Sequence, residues 1–218
     1  MAKKHLGIAV LEGKWAHNSN VSVRPLFDVI SHLHLKNIDG YHYEMFCNHA
    51  ALQNATARLA EHKDIDYMYI AAHGDEDGKG IYGTDGKLIS TVQLRNNFAK
   101  FTKNAFAGVY FGCCKYPSKS AALDLLHYDV PNYGKSELCW VAGFSKKVDW
   151  LQSSAFDMLF FREMLAHPDP ESTQLQRITS VAQRLQNSVP DLAKELGFQI
   201  YTRARGQGVQ DVKPLIKY

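Results

Sequence analysis

Two short segments of the chain carry the side chains that thiol-based chemistry requires. His73-Gly74 ends one apolar run, and Cys113 ends another about forty residues later. A thiol is an effective nucleophile at neutral pH when a base or a cation lies beside it, and an imidazole can serve as either. Gly74 has no side chain, so its backbone N–H can approach a reacting carbonyl and donate to an oxyanion. The backbone N–H of the cysteine is a natural second donor.

Alternating apolar runs and helical segments predict the scaffold that positions these residues. The runs that are typical of buried strands cover residues 6–11, 41–47, 67–72, 107–112, 138–144 and 198–202. Helices are predicted over residues 25–35, 50–61, 91–101, 118–126, 150–166 and 172–196. This order predicts an α/β protein with a mostly parallel sheet and helices on both faces. The carboxyl ends of such strands face one crevice, where His73 and Cys113 are expected to meet.

The remaining stretches are expected to be loops. Residues 74–87 are rich in Gly and Asp and surround only one short apolar piece, Ile81-Tyr82. Residues 127–136 contain Pro and Gly, and a Pro-rich break interrupts the helical pattern at 167–170. The sequence shows no repeat and no change in composition, so we expect a single domain over residues 1–218.

The order and spacing of these segments resemble caspase-like (clan CD) cysteine peptidases, and bacterial CHAT-domain and separase-like proteases in particular. The resemblance lies in residues 67–74 (YMYIAAHG), 109–113 (VYFGC) and 138–150 (LCWVAGFSKKVDW), followed by an amphipathic helix over 151–165. It implies a three-layer sandwich in which His73 is the general base and the cysteine is the nucleophile. Gly74 would supply one oxyanion donor.

The adjacent thiols Cys113 and Cys114 leave the choice of nucleophile open. Family members usually carry a small residue directly before the nucleophile, and Gly112 fits that place if Cys113 acts. Cys114 remains the alternative. Lys115 departs from the Gly or Ser that the family often has two places after its nucleophile, which keeps a catalytically inactive binding or scaffold module as a second interpretation.

The resemblance also implies that residues 145–150, which begin with Ser145, flank the substrate. A carboxylate at the base of the S1 pocket favours a basic P1 side chain. Asp149 is the first candidate for that carboxylate and Asp75 is the second. Asp149 is equally well placed to cap the helix that begins near Trp150.

Composition limits the classes of partner and cofactor that we expect the protein to bind. The chain has 218 residues with 25 basic and 22 acidic side chains, a balance that does not favour nucleic acid or an anionic membrane. Four cysteines without a framework pattern indicate reduced thiols and a cytoplasmic location. The sequence has no CxxC or HxxxH pair and no GxGxxG or P-loop, so we expect no metal and no cofactor. The basic tail, with Arg203, Arg205 and Lys213, is expected to be a solvated surface.

These observations together predict a cysteine endopeptidase that acts on a protein or peptide. The resemblance to CHAT-type proteases adds a specific bacterial partner or a separate activator or sensor protein. A third interpretation is a small-molecule hydrolase or transferase that uses the same thiol in a closed pocket.

Overall fold

The computed structural model describes residues 6–15, 21–35, 38–101, 106–127, 129–166, 172–203 and 212–216. The predicted break at 167–170 and the tail residue Arg205 lie outside this part of the chain. So does the side chain of Lys213.

The strands and helices follow the predicted alternation closely. The strands are β1 (Ile8–Gly13), β2 (Tyr41–Phe46), β3 (Tyr67–Ala71), β4 (His73–Gly74), β5 (Gly80–Tyr82), β6 (Leu88–Ser90), β7 (Gly108–Gly112), β8 (Trp140–Phe144), β9 (Phe198–Arg203) and β10 (Val212–Pro214). The helices are α1 (Arg24–His34), α2 (His49–Leu59), α3 (Thr91–Phe101), α4 (Lys119–His127), α5 (Trp150–Leu165), α6 (Gln174–Ser188) and α7 (Pro190–Leu196). A short 3-10 helix covers Ile38–Gly40.

The main sheet has the strand order β10-β9-β8-β7-β3-β1-β2. Strands β1, β2, β3, β7 and β8 are parallel to one another, while β9 is antiparallel to both of its neighbours, β8 and β10. Ala71 pairs with Gly112 at the carboxyl ends of β3 and β7. The central strands are buried on both sides, as expected of a parallel sheet covered by helices. The predicted α/β fold with a mostly parallel sheet is therefore confirmed.

Each face of the main sheet has its own core. Helices α2, α3 and α4 cover one face, which we call the helix-α3 face; its core includes Leu52, Leu94 and Phe98. Helices α1, α5, α6 and α7 cover the other, the helix-α5 face, where Phe160 and other aromatic rings dominate. Buried aromatic rings of this size supply a large share of the apolar area removed from water.

The helical segments expected over 172–196 are two helices, because Pro190 has no N–H with which to continue α6 and instead begins α7. The structure departs from the sequence prediction in two places. Residues 73–90 contain a small antiparallel sheet, β4-β5-β6, where a loop was expected around Ile81-Tyr82. Strand β10, which pairs with β9, was not predicted at all.

Candidate active site

His73 lies where the main sheet and the small sheet meet. It follows β3 after a single residue, and its backbone pairs with Tyr82 of β5. The imidazole is exposed, and Nε2 is 2.7 Å from the carbonyl oxygen of Trp15. The Trp15 ring meets the imidazole edge to face, with centroids 5.4 Å apart. A carbonyl oxygen only accepts hydrogen bonds, so Nε2 carries the proton and Nδ1 is left as the basic nitrogen.

Cys113 lies in the core of the helix-α3 face. Only 1% of the residue is exposed, and its thiol points towards the carbonyl oxygen of Ile70, 3.5 Å away. Burial raises the pKa of the Cys113 thiol well above its usual range, so the thiolate is disfavoured. These properties are at odds with the expectation that Cys113 is the nucleophile, because a peptide cannot reach a thiol packed inside the core.

Cys114 faces the opposite side of the sheet. Ala72 and Cys113 both belong to the core of the helix-α3 face. In contrast, Trp15, which contacts His73, and Val148, which contacts Cys114, pack against the core of the helix-α5 face. The Cys114 thiol is half-buried, and its sulfur lies 3.4 Å from the backbone N and 3.7 Å from the carbonyl oxygen of Val148. Both His73 and Cys114 come two residues after the paired ends of β3 and β7.

Gly74 is pressed against the backbone of Cys114. A Cβ built at Gly74 would overlap the carbonyl oxygen of Cys114 and would lie 3.2 Å from its nitrogen. Only glycine fits such a close approach of two segments. The structure therefore holds Gly74, the predicted oxyanion donor, against the segment that carries Cys114.

A second link ties the segment after Gly74 to the segment after Cys114. Lys115 forms an ion pair with Glu76, and its Nζ also donates to the Glu76 carbonyl oxygen at 3.3 Å. Lys115 adopts a φ of 56°, a left-handed conformation that is uncommon for residues with a side chain. Its backbone N–H donates to Lys146, which anchors it to the next loop.

Asp75 stabilises its own turn. Its carboxylate accepts hydrogen bonds from the backbone N–H groups of Asp77 and Lys79, both at 3.1 Å, and from the Tyr82 hydroxyl at 2.9 Å. The bond from the Lys79 N–H, followed by the one from Tyr82, lowers the pKa of Asp75. The expectation that Asp75 faces an S1 pocket is corrected, because its carboxylate is engaged inside the turn and the residue is only 8% exposed.

Asp149 and Ser145 are both engaged by their own surroundings. Oδ1 of Asp149 accepts from the backbone N–H groups of Leu151 and Gln152 at 2.9 and 3.0 Å, so Asp149 caps α5, as its alternative interpretation predicted. Ser145 donates its hydroxyl to the carbonyl oxygen of Gly197 at 2.8 Å, which fastens the loop to the start of β9. Neither contact involves His73 or Cys114.

Glu12 is a site residue that the sequence did not reveal. The apolar run over residues 6–11 predicts a strand that ends before Glu12, but β1 continues through it, and the residue is only 1% exposed. Four donors surround it: Trp15 Nε1 and the Val23 N–H on Oε1, and the hydroxyls of Ser22 and Tyr43 on Oε2, at 2.6 to 3.0 Å. Because these donors are scattered through residues 15–43, no local pattern predicts the cluster.

A second buried carboxylate, Asp157 of α5, lies beneath β7. Its Oδ2 accepts from the Tyr69 hydroxyl at 2.6 Å, and a Cβ built at Gly112 would overlap that same hydroxyl. Burial raises the pKa of Asp157 to about 7, and hydrogen bonding from the Tyr110 and Tyr69 hydroxyls offsets part of the effect. Gly112, which packs against the Tyr69 hydroxyl, precedes Cys114 by two residues.

Metal-ligand clusters and membrane-spanning helices are both absent from the part of the chain that the structure describes. Within residues 6–216, gaps excepted, no three His, Cys, Asp or Glu side chains come together as metal ligands do. No described helix has both the length and the apolar character to cross a bilayer. The four cysteines are unpaired. Arg203 was expected in a solvated basic tail, but its guanidinium donates to the carbonyl oxygens of Leu126 and Ser136.

No protein-family model and no curated protein sequence matches the chain. Among solved structures, the chain is similar to a secreted C11 cysteine protease from Bacteroides thetaiotaomicron, solved in complex with an irreversible peptide inhibitor. The two share a TM-score of 0.51 at 13% identity. The chain has a caspase-like fold. The match covers 90% of this chain but only 65% of the protease, so the chain spans less than two thirds of that structure. The predicted caspase-like sandwich is thus confirmed at the level of the fold.

Proposed function

We propose that the chain is a cysteine endopeptidase in which His73 and Cys114 form the catalytic dyad. The observation that carries this proposal is that the two residues occupy equivalent positions, each two residues beyond the end of its strand. Each follows the carboxyl end of one of two adjacent parallel strands, on the same side of the sheet, while Cys113 is buried on the other side. The similarity of the fold to a cysteine protease supports the reaction class.

The contacts around each residue suggest its role. Nε2 of His73 donates to Trp15, so Nδ1 takes the proton of the Cys114 thiol. The thiolate attacks the peptide carbonyl carbon and forms the C–S bond of a tetrahedral intermediate. The N–H groups of Gly74 and Cys114 donate to its oxyanion. His73 then protonates the leaving amine as the C–N bond breaks, and water hydrolyses the thioester.

A pair of adjacent substitutions tests the dyad. Cys114→Ala should abolish peptide cleavage and covalent labelling by an electrophilic peptide probe, and should leave the circular dichroism spectrum unchanged. Cys113→Ala is the matched control, because it removes a thiol one residue away and should retain both activities. Full activity in Cys114→Ala, or loss of labelling only in Cys113→Ala, would refute the assignment.

The alternative, an inactive binding module of the same fold, also has an observation in its favour. Val148 holds the Cys114 sulfur through its backbone N–H and carbonyl, and a substrate would have to displace these contacts. The rate of alkylation by iodoacetamide separates the two functions. A thiol with a neighbouring base reacts far faster than a free cysteine at pH 7, and slow alkylation would favour the inactive module.

The substrate and the setting form part of the proposal. An extended protein segment would lie along the crevice between Trp15 and the loop 145–149, and a separate activator or sensor protein would control access. The unpaired state of all four cysteines supports a reducing, cytoplasmic location. The Bacteroides protease is secreted, which is a property of that protein.

A further inference from the structure

The connection between the buried carboxylate Glu12 and the imidazole of His73 passes through a single residue. Trp15 donates its indole N–H to Oε1 of Glu12 at 2.7 Å, and its own carbonyl oxygen accepts from His73 at 2.7 Å. Its ring also meets the imidazole edge to face. The same residue therefore fixes both the proton on Nε2 and the plane of the ring.

Glu12 is well suited to hold Trp15 in one orientation. Both of its oxygens accept two hydrogen bonds, so the carboxylate is satisfied inside the protein and resists rotation. Among the donors, Tyr43 keeps its proton through the neutral range, because burial and then the bond to Glu12 raise its pKa to about 12. The backbone of Lys14, between Glu12 and Trp15, is itself held by a bond of 2.9 Å to the Thr84 hydroxyl.

We infer that Glu12 is a positioning residue which, through Trp15, holds His73 with its proton on Nε2 and its Nδ1 free for the Cys114 thiol. The inference rests on the proposed function for its catalytic meaning. Glu12 itself contacts neither His73 nor Cys114 among the described contacts. A side chain that acts through another should affect the turnover and the proton position of the imidazole rather than substrate binding.

Trp15→Phe tests the link, because it deletes the indole N–H and retains both an aromatic ring and the backbone carbonyl. We expect kcat to fall about tenfold with little change in KM, as the loss of one hydrogen bond of ordinary strength predicts. Trp140→Phe is the matched control: it deletes an indole N–H that has no hydrogen-bond partner among the described residues, and kcat should change by less than about twofold.

Glu12 is tested directly by two substitutions. Glu12→Ala should lower kcat at least as much as Trp15→Phe, whereas Glu12→Gln should restore most of it, since the amide oxygen still accepts from the indole. Should Glu12→Ala fail to fold, the comparison of Trp15→Phe with Trp140→Phe decides the matter. Equal losses in those two variants would overturn the inference.

A spectroscopic measurement keeps this test separate from that of the peptidase. In a Cys114→Ala background, the 15N shifts of His73 report which nitrogen carries the proton. We expect a dominant Nε2-H form, and a larger Nδ1-H population after Trp15→Phe. An unchanged proton distribution would overturn the inference, whatever the protein does to peptides. A changed distribution in a chain that cleaves no peptide would leave the positioning intact and remove only the peptidase proposal.

Discussion

The two faces of the main sheet place neighbouring residues of one type in very different surroundings. On the helix-α3 face, the Cys113 thiol is fully buried and points at a backbone carbonyl of β3. On the helix-α5 face, the Cys114 thiol is half-buried, and its sulfur lies 3.4 Å from the backbone N of Val148. The difference arises from the alternation of side chains along an extended segment. The direction in which each cysteine side chain points, rather than its residue type, decides which thiol a substrate can reach.

Gly74→Ala should give the largest effect on the helix-α5 side. The added methyl would overlap the carbonyl oxygen of Cys114, so the two segments must separate and one oxyanion donor is displaced. We expect kcat to fall by about a hundred- to a thousandfold, the usual effect of losing one such donor. Gly86→Ala is the control, since Gly86 has a φ of 74° but open space around it. Kinetics showing equal rates for the two variants would contradict the proposed crevice.

Asp157→Asn tests whether the buried carboxylate on the helix-α5 face makes the free energy of unfolding depend on pH. The folded pKa of about 7 lies above the unfolded value of 3.8, so the folded state holds this proton more tightly. The stability that this proton confers is complete below about pH 4 and is lost as the pH rises through 7. The shift corresponds to roughly 4 kcal/mol in the free energy of unfolding.

Urea denaturation at pH 5 and pH 8 measures this effect. The wild type should lose more stability between the two pH values than Asp157→Asn, whose amide cannot ionise and can still accept from Tyr69. Cys113→Ala, on the opposite face, should have the pH dependence of the wild type. Identical pH dependence in wild type and Asp157→Asn would show that Asp157 does not titrate as its burial predicts.

The smallest effect is expected at Asp149, where capping and charge can be separated. Asp149→Asn keeps an oxygen for the N–H groups of Leu151 and Gln152, and stability should change little, whereas Asp149→Ala should cost about 1 kcal/mol in thermal or urea denaturation. If the carboxylate also selects a basic P1 residue, Asp149→Asn should reduce the preference for Arg over Leu at P1. An unchanged preference would restrict Asp149 to capping.

The sequence predicted the strands that matter most because their apolar runs are unbroken. Strands β3 and β7 are buried on both faces, and this continuous burial is what made residues 67–72 and 107–112 recognisable. Because both faces of these strands are buried, their sequences do not alternate between apolar and polar residues. The sequence therefore does not indicate which face each thiol occupies. The choice between Cys113 and Cys114 depends on the register between β3 and β7, which no local pattern encodes.

Other features escaped prediction because they depend on distant partners. Strands β4, β5 and β6 have only two or three residues each, so they lack the length of a recognisable strand, and β4 and β5 also contain glycine. Glu12 looked like the end of β1 because a charged side chain is seldom buried, and it is buried here only because four donors converge on it. Two of these donors, Trp15 and Tyr43, come from different segments of the chain.

The ion pair between Lys115 and Glu76 has a mechanical consequence. It joins the turn that follows His73 to the turn that follows Cys114, at a point open to solvent. A molecule that binds either turn would therefore also displace the other, and its binding would act on both residues of the proposed dyad. Because salt screens exposed ion pairs, a higher ionic strength should weaken this connection between the two turns.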